Sequence, residues 1–168
     1  MHRWLIVLVT LVVAGFVAAP RASAGDAPIG HLGDTLRVDT GKIIADVTVS
    51  SVQPVDTPPA FGYQRADVFP KGFPGSTIDR ADVAIHAITV PTPFQMATDF
   101  AFDGVTPFGD AYKPHASDAP DALDSVLVHA PAGSVVRGAV YWDAYRDPVS
   151  NVVLLDKKTG VHLAQWNL

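Results

Sequence analysis

From Ile43 to Val52 the chain alternates, with Ile43, Ala45, Val47 and Val49 on one side and Asp46, Thr48 and Ser50 on the other. A period of two with one apolar face predicts a half-buried strand. Thr35 to Asp39 alternates as well, with Leu36 and Val38 inward, and Thr40-Gly41 supplies a turn between the two runs, so the domain is expected to open on a hairpin. Ala81 to Val90 is apolar on both faces, the pattern of a central strand covered on two sides. Further strands are predicted at Met96–Phe102, Ser125–His129, Gly138–Tyr145, Asn151–Leu155 and Val161–Trp166, each bounded by Pro, Gly or Asp. One helical turn is predicted near Ser117–Leu123, with Asp118 as its cap. Seven or eight short strands with regular turn punctuation describe an all-β sandwich.

One segment breaks the pattern. Pro58 to Asp79 has no sustained period, yet it holds Phe61, Tyr63, Phe69 and Phe73 together with Arg65 and Lys71. Loops of this length in compact domains are usually functional or disordered, and disordered chain is poor in aromatics. Two readings stand. The aromatic and cationic side chains form a partner-binding surface held out by the two sheets, or Phe69 and Phe73 fold back over an open end of the core. In the strand from Gly138, period two places Val140, Trp142 and Ala144 inward. Ala139, Tyr141, Asp143 and Tyr145 then face out, since a buried unpaired carboxylate at Asp143 is costly. Trp142 is expected in the core and Tyr141 and Tyr145 at the surface.

The N-terminus changes the picture of where the chain works. Arg3, an apolar stretch from Leu5 to Ala19 and the small residues Ala22 and Ala24 form the three parts of a secretory signal. The stretch is shorter than the ~20 residues of a membrane span. Residues 1–24 are therefore read as a cleaved signal peptide and 25–168 as one secreted domain, free of the membrane. The chain has no cysteine, which excludes disulfides and a lipid anchor at the cleavage site. Losing Arg3 and Arg21 leaves 10 basic against 17 acidic residues and moves the net charge from -5 to -7. Without a basic cluster, nucleic acid is excluded as a partner. Every acidic residue is Asp, which favours turns and caps over helices, in keeping with 14 prolines and 13 glycines.

Candidate chemistry is sparse. His31, His86, His115, His129 and His162 show no ligand spacing, although His86 and His129 fall in predicted strands and could meet across a sheet. Asp103, Asp110, Asp118, Asp121 and Asp124 crowd a turn-rich region, but the Asp-x-Asp-x-Asp-Gly pattern and closing Glu of an EF-hand are missing. No metal and no cofactor is assigned. Ser134 sits in a turn without a Gly-x-Ser-x-Gly elbow, and no carboxylate pair is marked for glycoside chemistry, so no catalytic residue is assigned either.

Several stretches carry a family resemblance: Pro131-x-Gly133, Gly138-x-Val140-Tyr141-Trp142-Asp143, Pro148, Val152-Val153 and Leu163-x-x-Trp166, with Gly72-Phe73-Pro74 ahead of the central strand and Gly30-x-Leu32 to Gly41 at the start. In these the chain resembles the secreted mycobacterial immunogenic antigens of the MPT/MPB sixty-three type. The resemblance implies an immunoglobulin-like antiparallel β-sandwich, exported, without an established enzymatic activity and with no catalytic residues to carry over. The Pro58–Asp79 loop is longer and more aromatic than that pattern, and Asp103–Asp124 is richer in Asp. The sequence thus reads as a secreted, non-enzymatic binding module for an unknown protein or envelope component, with Phe61, Tyr63, Arg65, Phe69, Lys71 and Phe73 as candidate contacts. The alternatives are an extracellular protein binding a small ligand or metal and, behind it, a hydrolase. A deep pocket with convergent polar groups would favour the alternatives; a filled core with exposed loops would favour the module. The signal reading makes a prediction: intact-mass measurement on culture filtrate should find a mature N-terminus at Gly25, and a secreted product still carrying Leu5 to Ala19 would refute it.

Overall fold

The computed structural model of the chain describes residues 27–60 and 76–168, so the signal segment and its cleavage site lie outside the described residues. The predicted hairpin forms. β2 (Thr35–Asp39) and β3 (Ile44–Val55) pair antiparallel, with Thr35 opposite Thr48 and Asp39 opposite Ile44. Short side chains fix its turn: the Asp39 carboxylate accepts from the Gly41 N–H at 2.7 Å, and Thr40 Oγ1 accepts from the Ile43 N–H at 3.0 Å. Gly41 takes φ +80°, which glycine adopts without strain. Ile43, Ala45, Val47 and Val49 are all buried, as their alternation requires.

β4 (Thr77–Thr89) pairs with β3 on one side and with β7 (Val135–Ala144) on the other, giving a four-stranded sheet in the order β2-β3-β4-β7. It is central, but only its inner face is covered along its length. Asp82 and His86 on the outer face meet water, a correction to the two-sided burial expected from its apolar pattern. The second sheet holds β1 (Ile29–His31), β5 (Phe100–Val105), β6 (Ala111–Tyr112), β8 (Asn151–Asp156) and β9 (His162–Asn167), in the order β1-β9-β8-β5-β6. β1 runs parallel to β9; the other pairs are antiparallel. The two sheets pack face to face as a β-sandwich.

Two predicted strands begin as helical turns instead. Met96–Phe102 divides into α1 (Gln95–Asp99) and the start of β5, and Ser125–His129 overlaps α2 (Leu123–Leu127). Met96 with Phe100, and Leu123 with Leu127, are buried pairs four residues apart. Over so short a run, a spacing of four satisfies both a strand and one turn of helix, so periodicity alone cannot separate them. Asp118 does not cap a helix. α2 starts at Leu123, with Ala122 at its N-cap and no side-chain bond there.

Each side of the sandwich is closed by a segment that changes sheets. On one side the chain passes from β1 to β2 through a turn in which the His31 N–H donates to Asp34 Oδ2 at 2.8 Å. On the other, β6 pairs with β5, and three residues later His115 bridges Tyr141 of β7. An indole secures each side. Trp142 Nε1 donates to the Phe102 carbonyl at 2.9 Å, and Trp166 Nε1 donates to the Asp34 carbonyl at 3.0 Å. Trp142 is fully buried over Gly104, where an added Cβ would stand 2.8 Å from Val149 Cγ2 and 3.0 Å from Trp142 Cδ2.

Trp142 thus points inward as expected, while the outer face of β7 needs correction. Tyr141 is only 4% exposed, in a second small cluster with Ile78, Ala119, Ala122 and Ala139. Asp143 is buried too, and among the described residues its Oδ1 has no hydrogen-bond partner. The crossing segment closes over the face that period two assigns to water: the His115 N–H donates to the Tyr141 carbonyl at 2.9 Å and the Ala139 N–H to the Asp121 carbonyl at 2.7 Å. Of the residues expected outside, Tyr145 alone stays substantially exposed, at 46%.

These contacts generate two predictions. Trp142→Ala should cost about 3–5 kcal/mol and Gly104→Ala about 1–3 kcal/mol by overpacking. In the Trp142→Ala background the Gly104→Ala cost should shrink; equal costs in both backgrounds, read from denaturant melts, would show that the indole does not limit position 104. The second concerns Asp79, buried on the inner face of β4 with the Val149 N–H donating to its Oδ2 at 3.4 Å. Burial pushes its carboxyl above the usual carboxylate range, with the Val149 N–H pulling the other way. A carboxyl that holds its proton more tightly folded than unfolded favours the fold most at acid pH, and that stability is lost as pH rises through its folded value. Asp79→Asn should therefore raise the melting temperature at pH 7, by a margin that narrows as the pH is lowered; a variant that melts lower at pH 7 would refute this.

Candidate functional site

Three sets of strand ends meet at one end of the sandwich: the described flanks of the β3–β4 connection (residues 56–60 and 76), the 106–110 turn between β5 and β6, and residues 145–150 between β7 and β8. The pairing puts them together. Thr77 begins β4 opposite Ala144, the last residue of β7, and Val105 ends β5 opposite both Ala111 and Asn151. The sequence candidates Phe61, Tyr63, Arg65, Phe69, Lys71 and Phe73 lie outside the described residues. The flanks of their loop are described. The Pro59 carbonyl accepts from Ser117 Oγ at 2.8 Å and from the Asp118 N–H at 2.9 Å, so the loop leaves beside the crossing segment and returns beside β7.

The 106–110 turn is tied by buried Thr106. Its Oγ1 accepts from the N–H groups of Phe108 (3.3 Å) and Asp110 (3.1 Å), and its own N–H donates to the Asp110 carbonyl at 2.9 Å. Gly109 turns the chain at φ +88°. The result holds Phe108 at the tip with 81% of its surface exposed. Beside it, the buried Tyr112 hydroxyl donates to the Asp147 carbonyl at 2.8 Å and accepts from the N–H groups of Asp147 (3.0 Å) and Arg146 (3.3 Å). Tyr145 meets Tyr112 edge-on at 5.3 Å, and the Arg146 guanidinium lies 5.7 Å from the Tyr145 ring while pairing with Asp110 at 3.1 Å. An exposed ion pair adds little stability, but this one orients Arg146 between the two loops.

The arrangement presents Phe108 and Tyr145 on hydrogen-bonded turns, with the Arg146 guanidinium oriented between them. The sequence reading placed Tyr145 at the surface but missed Phe108 and Arg146. The signal was there in Thr106-Pro107-Phe108-Gly109-Asp110, a turn composition with a phenylalanine between its proline and glycine.

The other candidates separate. His129 follows α2 rather than lying in a strand, so it has no ladder across which to meet His86, which sits 3.9 Å from Asp46 on the outer face of β4. Most of the crowded aspartates take partners of their own: Asp103 pairs with Lys113 (2.6 Å), Asp110 with Arg146, Asp121 with Arg80 (2.8 Å), and Asp124 accepts from the Ser125 N–H (2.9 Å). Among the described residues, no three metal-ligating side chains come together. Ser134 Oγ donates to the Pro131 carbonyl at 2.6 Å, within its turn.

A cleft of about 220 Å³ opens where the crossing segment leaves β5 for β7, with Phe100, Leu123, Leu127 and Val140 among its walls and His115, Asp124 and Lys157 among its polar lining. No serine lines it. Its described lining is mainly apolar.

No protein-family model matches the chain, and no curated protein gives a significant match. Among solved structures, the yjhA protein from Bacillus subtilis aligns at 12% identity over 82% of this chain and 99% of its own, with a TM-score of 0.48. MPT63, a secreted protein from Mycobacterium tuberculosis, aligns at 20% identity over 86% of this chain and 100% of its own, with a TM-score of 0.62. The resemblance seen in the strand and turn residues is therefore matched in three dimensions: this chain has the β-sandwich fold of MPT63.

Proposed function

We propose that the domain is an exported, non-enzymatic binding module that recognises a protein partner with the loop end carrying Phe108, Tyr145 and Arg146. The observation that carries this reading is Phe108, left 81% exposed on a turn held by Thr106. Because the backbone of the turn is already tied, ordering it on binding costs little, and the exposed ring gains from leaving water. Tyr145 and Arg146 add two residue types enriched among interface residues that dominate affinity. The signal-like N-terminus and the likeness to a protein described as secreted support export. The described flanks of the Pro58–Asp79 segment, whose last three residues belong to β4, stand at the same end, and we include Phe61, Tyr63, Arg65, Phe69, Lys71 and Phe73 in the proposed surface.

The test is a pull-down with the mature domain from host or envelope extracts, followed by affinity measurement on the captured protein. Phe108→Asp should weaken binding at least tenfold while shifting stability by no more than about 0.5 kcal/mol, as expected for an exposed site. Replacing residues 61–73 by a short Gly-Ser linker should leave a folded sandwich with the same loss. If both variants stay folded and keep every partner, recognition lies elsewhere; if the linker variant unfolds, that loop is core cover and only the Phe108 surface remains.

A further inference from the structure

The seam cleft lies toward the opposite end of the sandwich from Phe108, since β4 runs from Thr77 at the loop end to Thr89 just ahead of α1. It exists because the crossing segment pairs with β5 only at Gly104 and Val105, so the Phe100–Phe102 stretch of β5 has no strand partner on that side. α2 partly fills the gap. Gly138 allows its close approach, because a Cβ there would stand 2.9 Å from the Leu123 Cα. What remains is an apolar hollow of about 220 Å³. An apolar cavity of about 150 Å³ accepts benzene, so this one suits roughly ten non-hydrogen atoms.

Its charged lining is asymmetric. Lys157, in the turn between β8 and β9, lines the cleft with its Nζ donating to the Ala97 carbonyl at 2.8 Å, and among the described residues it forms no ion pair. The neighbouring Lys158 differs, pairing with Asp99 at 2.7 Å. Asp124 on α2 is the one carboxylate among the described lining residues, and its Oδ1 already accepts from the Ser125 N–H. His115 lies in the crossing segment, tied to β7 through its backbone. An ammonium without a carboxylate partner beside an apolar hollow complements a molecule with a hydrocarbon body and an anionic head.

We propose that the seam cleft is a binding site for a small amphipathic carboxylate, its hydrocarbon part seated between Phe100, Leu123, Leu127 and Val140 and its carboxylate at Lys157 Nζ. The site is separate from the Phe108 surface, so each can fail without the other.

Octanoate, which has ten non-hydrogen atoms, is the probe, with octanol and octylamine at matched concentrations below micelle formation. Titration of the mature domain by calorimetry, with chemical shifts followed by NMR, should show saturable octanoate binding with a dissociation constant on the order of 10⁻⁴ M. Octanol should bind several-fold more weakly and octylamine more weakly still. Lys157→Met should remove the preference for the carboxylate while leaving octanol binding intact. Ala101→Phe, which places a ring in the cleft, should abolish binding of both, and Ala116→Leu serves the same purpose if the first variant does not fold. No saturable binding, binding undiminished in the filled variant, or octylamine preferred over octanoate would each overturn the proposal.

Discussion

The hydrogen bond from Trp142 Nε1 to the Phe102 carbonyl joins the two sheets, and much of the structure depends on it. Without cysteine, nothing covalent holds the sheets in register, so side chains must do it. A buried indole brings a large apolar surface, and it must satisfy one N–H; when the acceptor is a backbone carbonyl of the facing sheet, both needs fix the same geometry. Gly104 makes the approach possible, because any side chain there would meet the ring or Val149. Trp166 repeats the arrangement on the other side, bonding to Asp34 where the chain changes sheets. The two indoles thus act where the sandwich would otherwise open along its seams.

Closing the seams has opposite effects along the chain. Where the crossing segment lies against β7, it covers Tyr141 and supports a second small cluster; the Tyr141 hydroxyl reaches Asp121 at 3.3 Å, and Arg80, paired with Asp121, lies 5.9 Å from its ring. Where the same segment parts from β5, it leaves the apolar cleft beside α2. One topological feature therefore accounts for an aromatic removed from the surface and for a hollow that the alternating pattern gives no reason to expect. At the loop end the logic differs. Buried Thr106 and Tyr112 place several hydrogen bonds on two short connections, so the exposed residues they carry are presented by rigid backbone. Sandwiches host unrelated functions, so the functional reading rests on these local surfaces rather than on the fold.

What the sequence by itself determined is the set of strands long enough to show their period: β2, β3, β8 and β9, the central place of β4, and the inward face of Trp142. These follow from side-chain alternation, a local property that each strand shows wherever it packs. It also showed the turn residues that end those strands and the absence of disulfide chemistry. Only the tertiary structure decided the rest. α1 and α2 were misread because one helical turn and two strand periods share a spacing of four. β6 is two residues long and exists because it finds an edge on β5. Tyr141 lies on the face that period two assigned to water, yet it is buried, because what covers it comes from a crossing segment about twenty residues away in sequence. The proximity of Phe108, Tyr145 and Arg146 was likewise invisible, since it depends on which strands pair. Periodicity reports which side of a strand a residue occupies; what lies over that side is set by chain crossings, which no local pattern encodes.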